Sequence, residues 1–434
     1  MVARYDAIII GAGIIGCCTA FELAKRGWKT LNVDRLPAAG YGSTSFSSAI
    51  IRTHYSTLEG MAMAYEGYHH WRDWEKYLGI EDERGFARYR ETGCLVMNAG
   101  KNPQVGTWTS LSDKLGIPWE SWSPETILEK LPFLDLACYG PPKNLDHPDF
   151  GLPNGETVKG AVFFPVAGYM NDPQLAAHNA QIAAQGAGAE FLFNAPVTEI
   201  RQSGERVCGV TLADGREIDA PVIVNIGGPH SSRINRMAGV DDKMALDTRA
   251  LREEVAYVPC VPGFDFEKNG PIMTDEDVGS YVRPEIGNFL VIGGLNAACD
   301  PMQWVDPDDF QDSLSDQAQV QLMRMAQRMP NLGIPGHLRG IVACYDVSPD
   351  WIPIYDKTDL AGFYLAIGTS GNQFKNAPVA GALMAELIGT CELGRDHDAD
   401  PVSFHLKNLN RDLNIGFFSR NRKINEDSSF SVLG

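Results

Sequence analysis

Residues 5–34 read YDAIIIGAGIIGCCTAFELAKRGWKTLNVD. The run Tyr5–Ile10 is short, apolar and β-branched, as expected of a strand buried on both faces. Gly11-Ala-Gly13-Ile14-Ile15-Gly16 follows, then a stretch of helical character that stops at Gly27, then a second strand over Lys29–Val33 that ends at Asp34. This is one βαβ unit with a glycine fingerprint at its first turn. Gly11 permits the tight turn, Gly13 lets backbone N–H groups approach a pyrophosphate, and Gly16 lets the helix pack closely on the strand. The pyrophosphate would sit at the positive end of the helix. Asp34 lies eighteen residues after Gly16, placed to accept hydrogen bonds from a ribose hydroxyl. A terminal acid disfavours a 2′-phosphate. The unit predicts dinucleotide binding and leaves FAD and NAD both open.

Composition narrows the surroundings of that unit. The 434 residues are enough for two or three folding units at ~150 residues each. The chain is 44 % hydrophobic and 21 % charged, as in a globular protein. Lys and Arg total 37 against 55 Asp and Glu, a net charge of -18, which makes nucleic acid and anionic membranes poor partners. Nine scattered cysteines form no CxxC pair, and the histidines form no HxH or HExxH, so neither a disulfide framework nor a metal site is expected. The longest apolar stretch, Ala7–Phe21, is interrupted by three glycines and is too short to cross a bilayer. It also leaves no room for a targeting segment ahead of the first strand, so a cytoplasmic location is expected.

Further along, 58–90 reads as an aromatic-rich amphipathic helix and 101–160 as loops with short helices. A helix is predicted over Asp172–Gly188, strands over Glu190–Phe193 and from Val197, and a hairpin around Asp214-Gly215 before a buried strand that closes at Gly227-Gly228. Several strands fall in 245–295, a helix over Gln311–Met329, a buried strand over Tyr364–Gly368 and a helix over Ala377–Gly389. The expected fold is α/β with an antiparallel β layer. A Rossmann-like nucleotide domain (1–90, 150–235 and 335–434) interleaves with a substrate domain (91–149 and 236–334) on a mostly antiparallel sheet.

Six segments in order carry a resemblance: GAGIIG (11–16), GSTSFSSAIIR (42–52), GYMNDP (168–173), VIVNIGGPHSS (222–232), YDVSPDWIPI (345–354) and GTSGNQFKNAPVAG (368–381). Together they resemble the FAD-dependent amine oxidoreductases of the D-amino-acid oxidase superfamily, which include sarcosine oxidases, glycine oxidase and dimethylglycine dehydrogenase. The resemblance implies FAD, held by Gly11, Gly13, Ile14, Ile15, Gly16, Asp34, Arg35, Ser43, Thr44, Ser45, Val197, Gly227 and Gly228. Gly368, Ser370, Gly371, Asn372, Gln373, Phe374 and Lys375 would form a turn whose N–H groups stabilise charge at the flavin N1–C2=O edge. It implies hydride transfer to flavin N5 from the C–H beside a secondary or tertiary amine, giving an imine that hydrolyses.

The resemblance also assigns Arg52 and Lys375 to the substrate carboxylate, since matching basic residues in sarcosine oxidases hold it. A surface ion pair is the structural alternative for each. His54 and Tyr55 are candidate lining residues, as are Tyr281 and Arg283 on a central strand. Three departures matter. Phe46 stands where dimethylglycine dehydrogenases carry a flavin-linked His. Ala343 falls where monomeric sarcosine oxidases carry a flavin-linked Cys, with Cys344 one residue away. Phe289–Ile292 lacks the lysine that speeds reaction with oxygen. FAD bound without a covalent link is therefore expected, with Cys344 as the alternative attachment, and the electron acceptor stays open. Gly371-Asn372-Gln373 replaces the GHG of many relatives, which weakens sarcosine itself as the substrate. A 2-hydroxy-acid or glycerol-phosphate dehydrogenase and a non-catalytic FAD subunit remain as alternatives. The oligomeric state is not legible.

Overall fold

The computed structural model describes residues 5–100 and 104–433. Strand Ala7–Ile10 lies at the heart of a six-stranded sheet. Its parallel part runs, in spatial order, Phe363–Ile367, Val222–Asn225, Ala7–Ile10, Thr30–Val33 and Glu190–Leu192, and Ile354–Lys357 adds an antiparallel edge beside Phe363–Ile367. The three central strands are buried along their whole length, which is why they read as unbroken apolar runs. Helices Ile14–Lys25, Pro173–Gly186 and Ala377–Glu392 cover one face. Gly381 lets two of them meet, since a Cβ there would lie 2.6 Å from the Cys18 carbonyl carbon. On the other face an antiparallel meander over 197–219 packs Ile200, Val207, Val210 and Leu212 against Ile8, Ile10 and Leu31.

A second sheet has eight strands, in the order Arg339–Val347, Arg249–Pro259, Phe289–Gly294, Ser280–Glu285, Ile272–Asp275, Cys94–Asn98, Gly160–Phe164 and Glu120–Trp122. Every pairing is antiparallel except Cys94–Asn98 with Ile272–Asp275. The period-2 alternation splits its residues. Ala256, Val282 and Ile292 join Leu322 and Met325 of helix Asp316–Arg328 and Ile127 of helix Pro124–Lys130. Val255, Tyr281 and Cys94 face the opposite way, toward Met61 and Ala64 of helix Leu58–Arg72. The two strands Gly160–Phe164 and Arg339–Val347 belong to this sheet, although they lie in the ranges 150–235 and 335–434 expected for the nucleotide domain.

Two helices differ from expectation. The segment 58–90 is helical over Leu58–Arg72 and again only over Trp74–Leu78. Asp73 leaves helical dihedrals (φ -106°, ψ 36°), and Gly79 ends the second piece in the left-handed region (φ 63°). The helix expected from Gln311 begins at Asp316, because the Ser315 side chain caps it by accepting from the Gln317 N–H. Among the described residues no helix is long and apolar enough to cross a membrane.

Candidate active site

The glycine fingerprint divides into two that the fold demands and one that it does not. Gly11 has φ +118°, and a Cβ on it would lie 2.3 Å from the Ile226 carbonyl oxygen. A Cβ on Gly16 would lie 2.2 Å from the Gly11 carbonyl oxygen. Gly13, by contrast, has ordinary extended dihedrals (φ -71°, ψ 179°), and a Cβ there meets only the Thr44 Oγ1 at 3.1 Å. The protein itself has no packing reason to keep Gly13 bare, so the bare position is a cradle at the helix N-terminus. Thr44 closes one side by accepting from the Ile14 N–H at 3.1 Å. Asp34 accepts from the Ala12 N–H at 2.7 Å and the Leu36 N–H at 2.8 Å. Both carboxylate oxygens keep a lone pair for a ribose hydroxyl. These residues fit the diphosphate and ribose of FAD.

The remaining candidate FAD residues have partners of their own. Ser45 donates its N–H to the Gly40 carbonyl, and Ser43 donates its hydroxyl to the Cys344 carbonyl at 3.0 Å, which ties the 42–45 turn to the eight-stranded sheet. Gly227 donates to Asn225 Oδ1, and Gly228 adopts φ 57° just after the buried strand. Val197 opens the meander. Arg35 is spent on an exposed ion pair with Asp308, which also takes His230 and Arg233.

The turn after Phe363–Ile367 is sharply wound, with Gly368, Ser370 and Gly371 at φ 67°, 47° and 69°. Asp346 holds it. Its Oδ2 accepts from the Gly368 N–H at 2.6 Å, and its carbonyl accepts from the Ser370 N–H at 2.7 Å. Burial pushes the Asp346 carboxyl up to about 7. The sequence reading passed over Asp346, although it stands in the quoted YDVSPDWIPI segment. A buried acid between apolar positions was the available signal. Beyond Gly371 the chain forms a short helical turn, Phe374–Asn376, that leads into Ala377–Glu392. Helix Leu58–Arg72 clamps this turn. Trp71 donates its indole N–H to the Lys375 carbonyl at 2.7 Å and stacks on Phe374, and Gly67 leaves room for that same carbonyl.

Arg52, Tyr55 and Lys375 meet, though 320 residues separate Tyr55 from Lys375. The Lys375 ammonium donates to the Tyr55 hydroxyl at 2.8 Å and to the Asn372 carbonyl at 2.6 Å, and the Tyr55 hydroxyl donates to that same carbonyl at 2.8 Å. The Arg52 guanidinium lies 4.2 Å from the Tyr55 ring centre. It donates to the carbonyl of His54 and, at 2.7 Å, to that of Val432. All three side chains are buried. Among the described residues neither cation has a carboxylate partner, so the surface-ion-pair alternative does not hold for either. Burial, and then Arg52, holds the Lys375 ammonium well below its ordinary range.

His54 is fully buried beside Phe164 (ring centres 4.6 Å apart) and Trp108 (5.0 Å). Neither ring nitrogen has a partner. Burial and the two cations hold it well below 6.5, so it is neutral. Tyr281 shares this apolar cluster, with its hydroxyl 3.0 Å from that of Ser48. Arg283 is engaged elsewhere, over the Tyr169 ring and with Glu285 at 2.6 Å. Glu253 was not foreseen. It stands opposite Ala343 in register, accepts from Asn296 at 2.6 Å, and burial pushes it up to about 7. Cys344 stands opposite Arg252, and so on the other face of the strand from Ala343. Burial raises its thiol to about 11.

The family model described as FAD dependent oxidoreductase (DAO) matches residues 6–387. The chain is 26 % identical to the sarcosine oxidase subunit beta of Rhodobacter capsulatus, over 89 % of this chain and 85 % of that one. It is also 26 % identical to the peroxisomal sarcosine oxidase of Mus musculus, over 88 % and 92 %. Among solved structures, glycine oxidase from Geobacillus kaustophilus superposes with a TM-score of 0.72 at 19 % identity, covering 98 % of this chain and all of that one. L-proline dehydrogenase from P. horikoshii gives 0.73 at 22 % identity, covering 90 % and 95 %. With the family model matching residues 6–387, the chain belongs to the FAD-dependent oxidoreductases of the DAO family.

Proposed function

We propose that the protein oxidises a secondary or tertiary amine carrying a carboxylate, an N-substituted amino acid, at its CH–NH bond. The observation that carries this reading is the Arg52–Tyr55–Lys375 cluster: two buried basic side chains with no carboxylate partner among the described residues. Burying a charge without a partner is costly, and a bound carboxylate relieves that cost at both residues. A carboxylate would compete with the neutral His54 and Val432 carbonyls for the Arg52 guanidinium, where its charge makes the stronger pair, and Lys375, held between Tyr55 and the Asn372 carbonyl, adds a further donor. Bound FAD supplies the hydride acceptor for the C–H beside nitrogen.

The residues also act on the amine itself. An N-substituted amino acid is an ammonium in water and must lose one proton before its α-hydrogen can leave with the electron pair. The positive field of Arg52 favours the neutral amine in this pocket. His54 contributes shape and an uncharged surface, since it is held neutral. An alcohol substrate would instead need a general base at its O–H, which distinguishes the 2-hydroxy-acid and glycerol-phosphate readings from the amine. The six-stranded layer is read as the nucleotide layer and the eight-stranded sheet as the substrate layer. FAD is read as non-covalently held, because Ala343 and not Cys344 shares the strand face of Tyr345, whose ring a Cβ on Gly371 would meet at 2.4 Å.

The test is Arg52→Ala, assayed by anaerobic flavin reduction against a panel of N-methyl amino acids and their methyl esters. A carboxylate left facing one missing partner loses about 2–5 kcal/mol, so kcat/KM should fall roughly 30-fold or more, with FAD content unchanged. The penalty should shrink for the esters. Equal penalties for acid and ester would place the carboxylate elsewhere. No flavin reduction by any amine of the panel in the isolated chain would favour the non-catalytic subunit.

A further inference from the structure

The outer nitrogen of Arg52 is already occupied. Its Nη2 donates to the Val432 carbonyl at 2.7 Å, while Nη1 donates to the carbonyl of His54. The segment that supplies Val432 comes from the far end of the sequence. Arg422 and Asp350 form an ion pair at 2.7 Å, and the Ser428 hydroxyl donates to the Asp350 carbonyl at 2.6 Å. From that anchor the chain turns over the site. Phe430 takes a left-handed φ of 50° and points a 45 % exposed ring outward. Leu433 turns inward, only 6 % exposed, in the apolar cluster of Tyr55, Cys94, Phe164 and Tyr281. Val432 packs beside the same cluster and beside Trp351.

We propose that Val432 and Leu433 are a displaceable internal occupant of the substrate site, and that the space they fill takes a carboxylate ligand with an apolar group of about leucine size. This rests on Arg52 as the carboxylate anchor. Three observations support displacement over a fixed wall. The segment belongs to no helix or strand. Among the described residues its hydrogen bonds over 429–433 are local (the Phe430 N–H to the Ser428 hydroxyl, Ser429 with Ser431, the Leu433 N–H to the Ser431 hydroxyl), apart from the one from Arg52. That one is a carbonyl on a guanidinium, a neutral acceptor where a carboxylate would make a charge-assisted pair, roughly twice as strong. A carbonyl on the anchor with an apolar side chain beside it also has the outline of the proposed ligand: carboxyl group at Arg52, hydrocarbon among Tyr55, Phe164 and Tyr281.

Occupancy by the segment reduces apparent affinity to the intrinsic value multiplied by the fraction of time the site is free. The burial of one leucine side chain, removed by Leu433→Ser, is worth enough to shift that fraction about tenfold. The holoenzyme is titrated with two unreactive probes, acetate and 4-methylpentanoate, by the change in the flavin absorption spectrum. Leu433→Ser should tighten 4-methylpentanoate about tenfold. The wild type and the variant should both prefer it to acetate. The peptide SSFSVLG, added to the variant, should compete with the probe, and SSFSVSG should compete far less. Unchanged or weakened binding in Leu433→Ser makes Leu433 part of a fixed wall and overturns displacement. Equal binding of the two probes overturns the apolar ligand class. Arg52→Ala, titrated alongside, separates the two levels of the argument. If it weakens both probes while Leu433→Ser changes nothing, the anchor stands and the occupant falls. If Arg52→Ala leaves the probes unaffected, the anchor and the occupant fall together.

Discussion

Alanine or valine placed at each of the three fingerprint glycines should give two different kinds of failure. At Gly11 a side chain meets a φ of +118° and an oxygen at 2.3 Å. Positive-φ strain costs about 1–3 kcal/mol, and forcing an atom into a packed backbone costs about 1–3 kcal/mol more. Gly11→Ala should therefore lose a large part of the roughly 5–15 kcal/mol that stabilises a folded domain. Gly16→Ala, with its 2.2 Å approach to the Gly11 carbonyl, belongs with it. Gly13→Val meets neither obstacle. Its dihedrals suit any residue, and Thr44 Oγ1 at 3.1 Å needs to give by only a few tenths of an ångström. Its apoprotein should unfold within about 1 kcal/mol of wild type. It should nevertheless lose FAD, because the isopropyl group fills the approach to the helix N-terminus. One lost hydrogen bond to a charged group is worth about 1.5–3 kcal/mol, or roughly 10- to 150-fold in affinity. Denaturant unfolding of the apoprotein and flavin absorbance of the purified holoprotein read the two effects separately. Full FAD content in Gly13→Val, or destabilisation of its apoprotein equal to that of Gly11→Ala, would refute the assignment of Gly13 to the diphosphate.

Two further outcomes follow from the site. Acid precipitation should release the yellow colour into the supernatant, since Phe46 and Ala343 stand at the two attachment positions and Cys344 lies on the opposite strand face. Colour in the pellet that Cys344→Ser abolishes would refute this. Asp346, with its carboxyl raised to about 7 in the folded chain, holds a proton there that the unfolded chain releases near the ordinary 3.8 of an aspartate. The folded state thus binds more protons between pH 4 and 7, so stability falls as pH rises through that window and levels off above it, by up to ~1.4 kcal/mol per pH unit. Asp346→Asn should remove that slope in denaturant titrations between pH 5 and 8. Identical slopes in the two proteins would mean that the buried carboxyl is charged.

The sequence by itself determined the features whose cause is local. The βαβ unit was legible because its turn needs Gly11 and Gly16 for reasons that lie within 30 residues, or at the strand beside it. Asp172 before Pro173 announced the start of a helix, and its carboxylate does accept from the Leu175 N–H. Asp214-Gly215 announced the hairpin for the same kind of reason. What the sequence could not determine was partnership between distant segments. Gly160–Phe164 and Arg339–Val347 lie in ranges expected for the nucleotide domain, yet they pair in the eight-stranded sheet. An apolar run records that a strand is covered and says nothing of which neighbour covers it. The resemblance named Arg52 and Lys375, but only tertiary structure set both against Tyr55 with no carboxylate partner among the described residues. Strand register alone told Ala343 from Cys344, because one residue of shift turns a side chain to the other face. Val432 carried no sequence signal at all. Its functional atom is a backbone carbonyl, the same in every residue, and its place over Arg52 follows from how the chain folds back across some 380 positions.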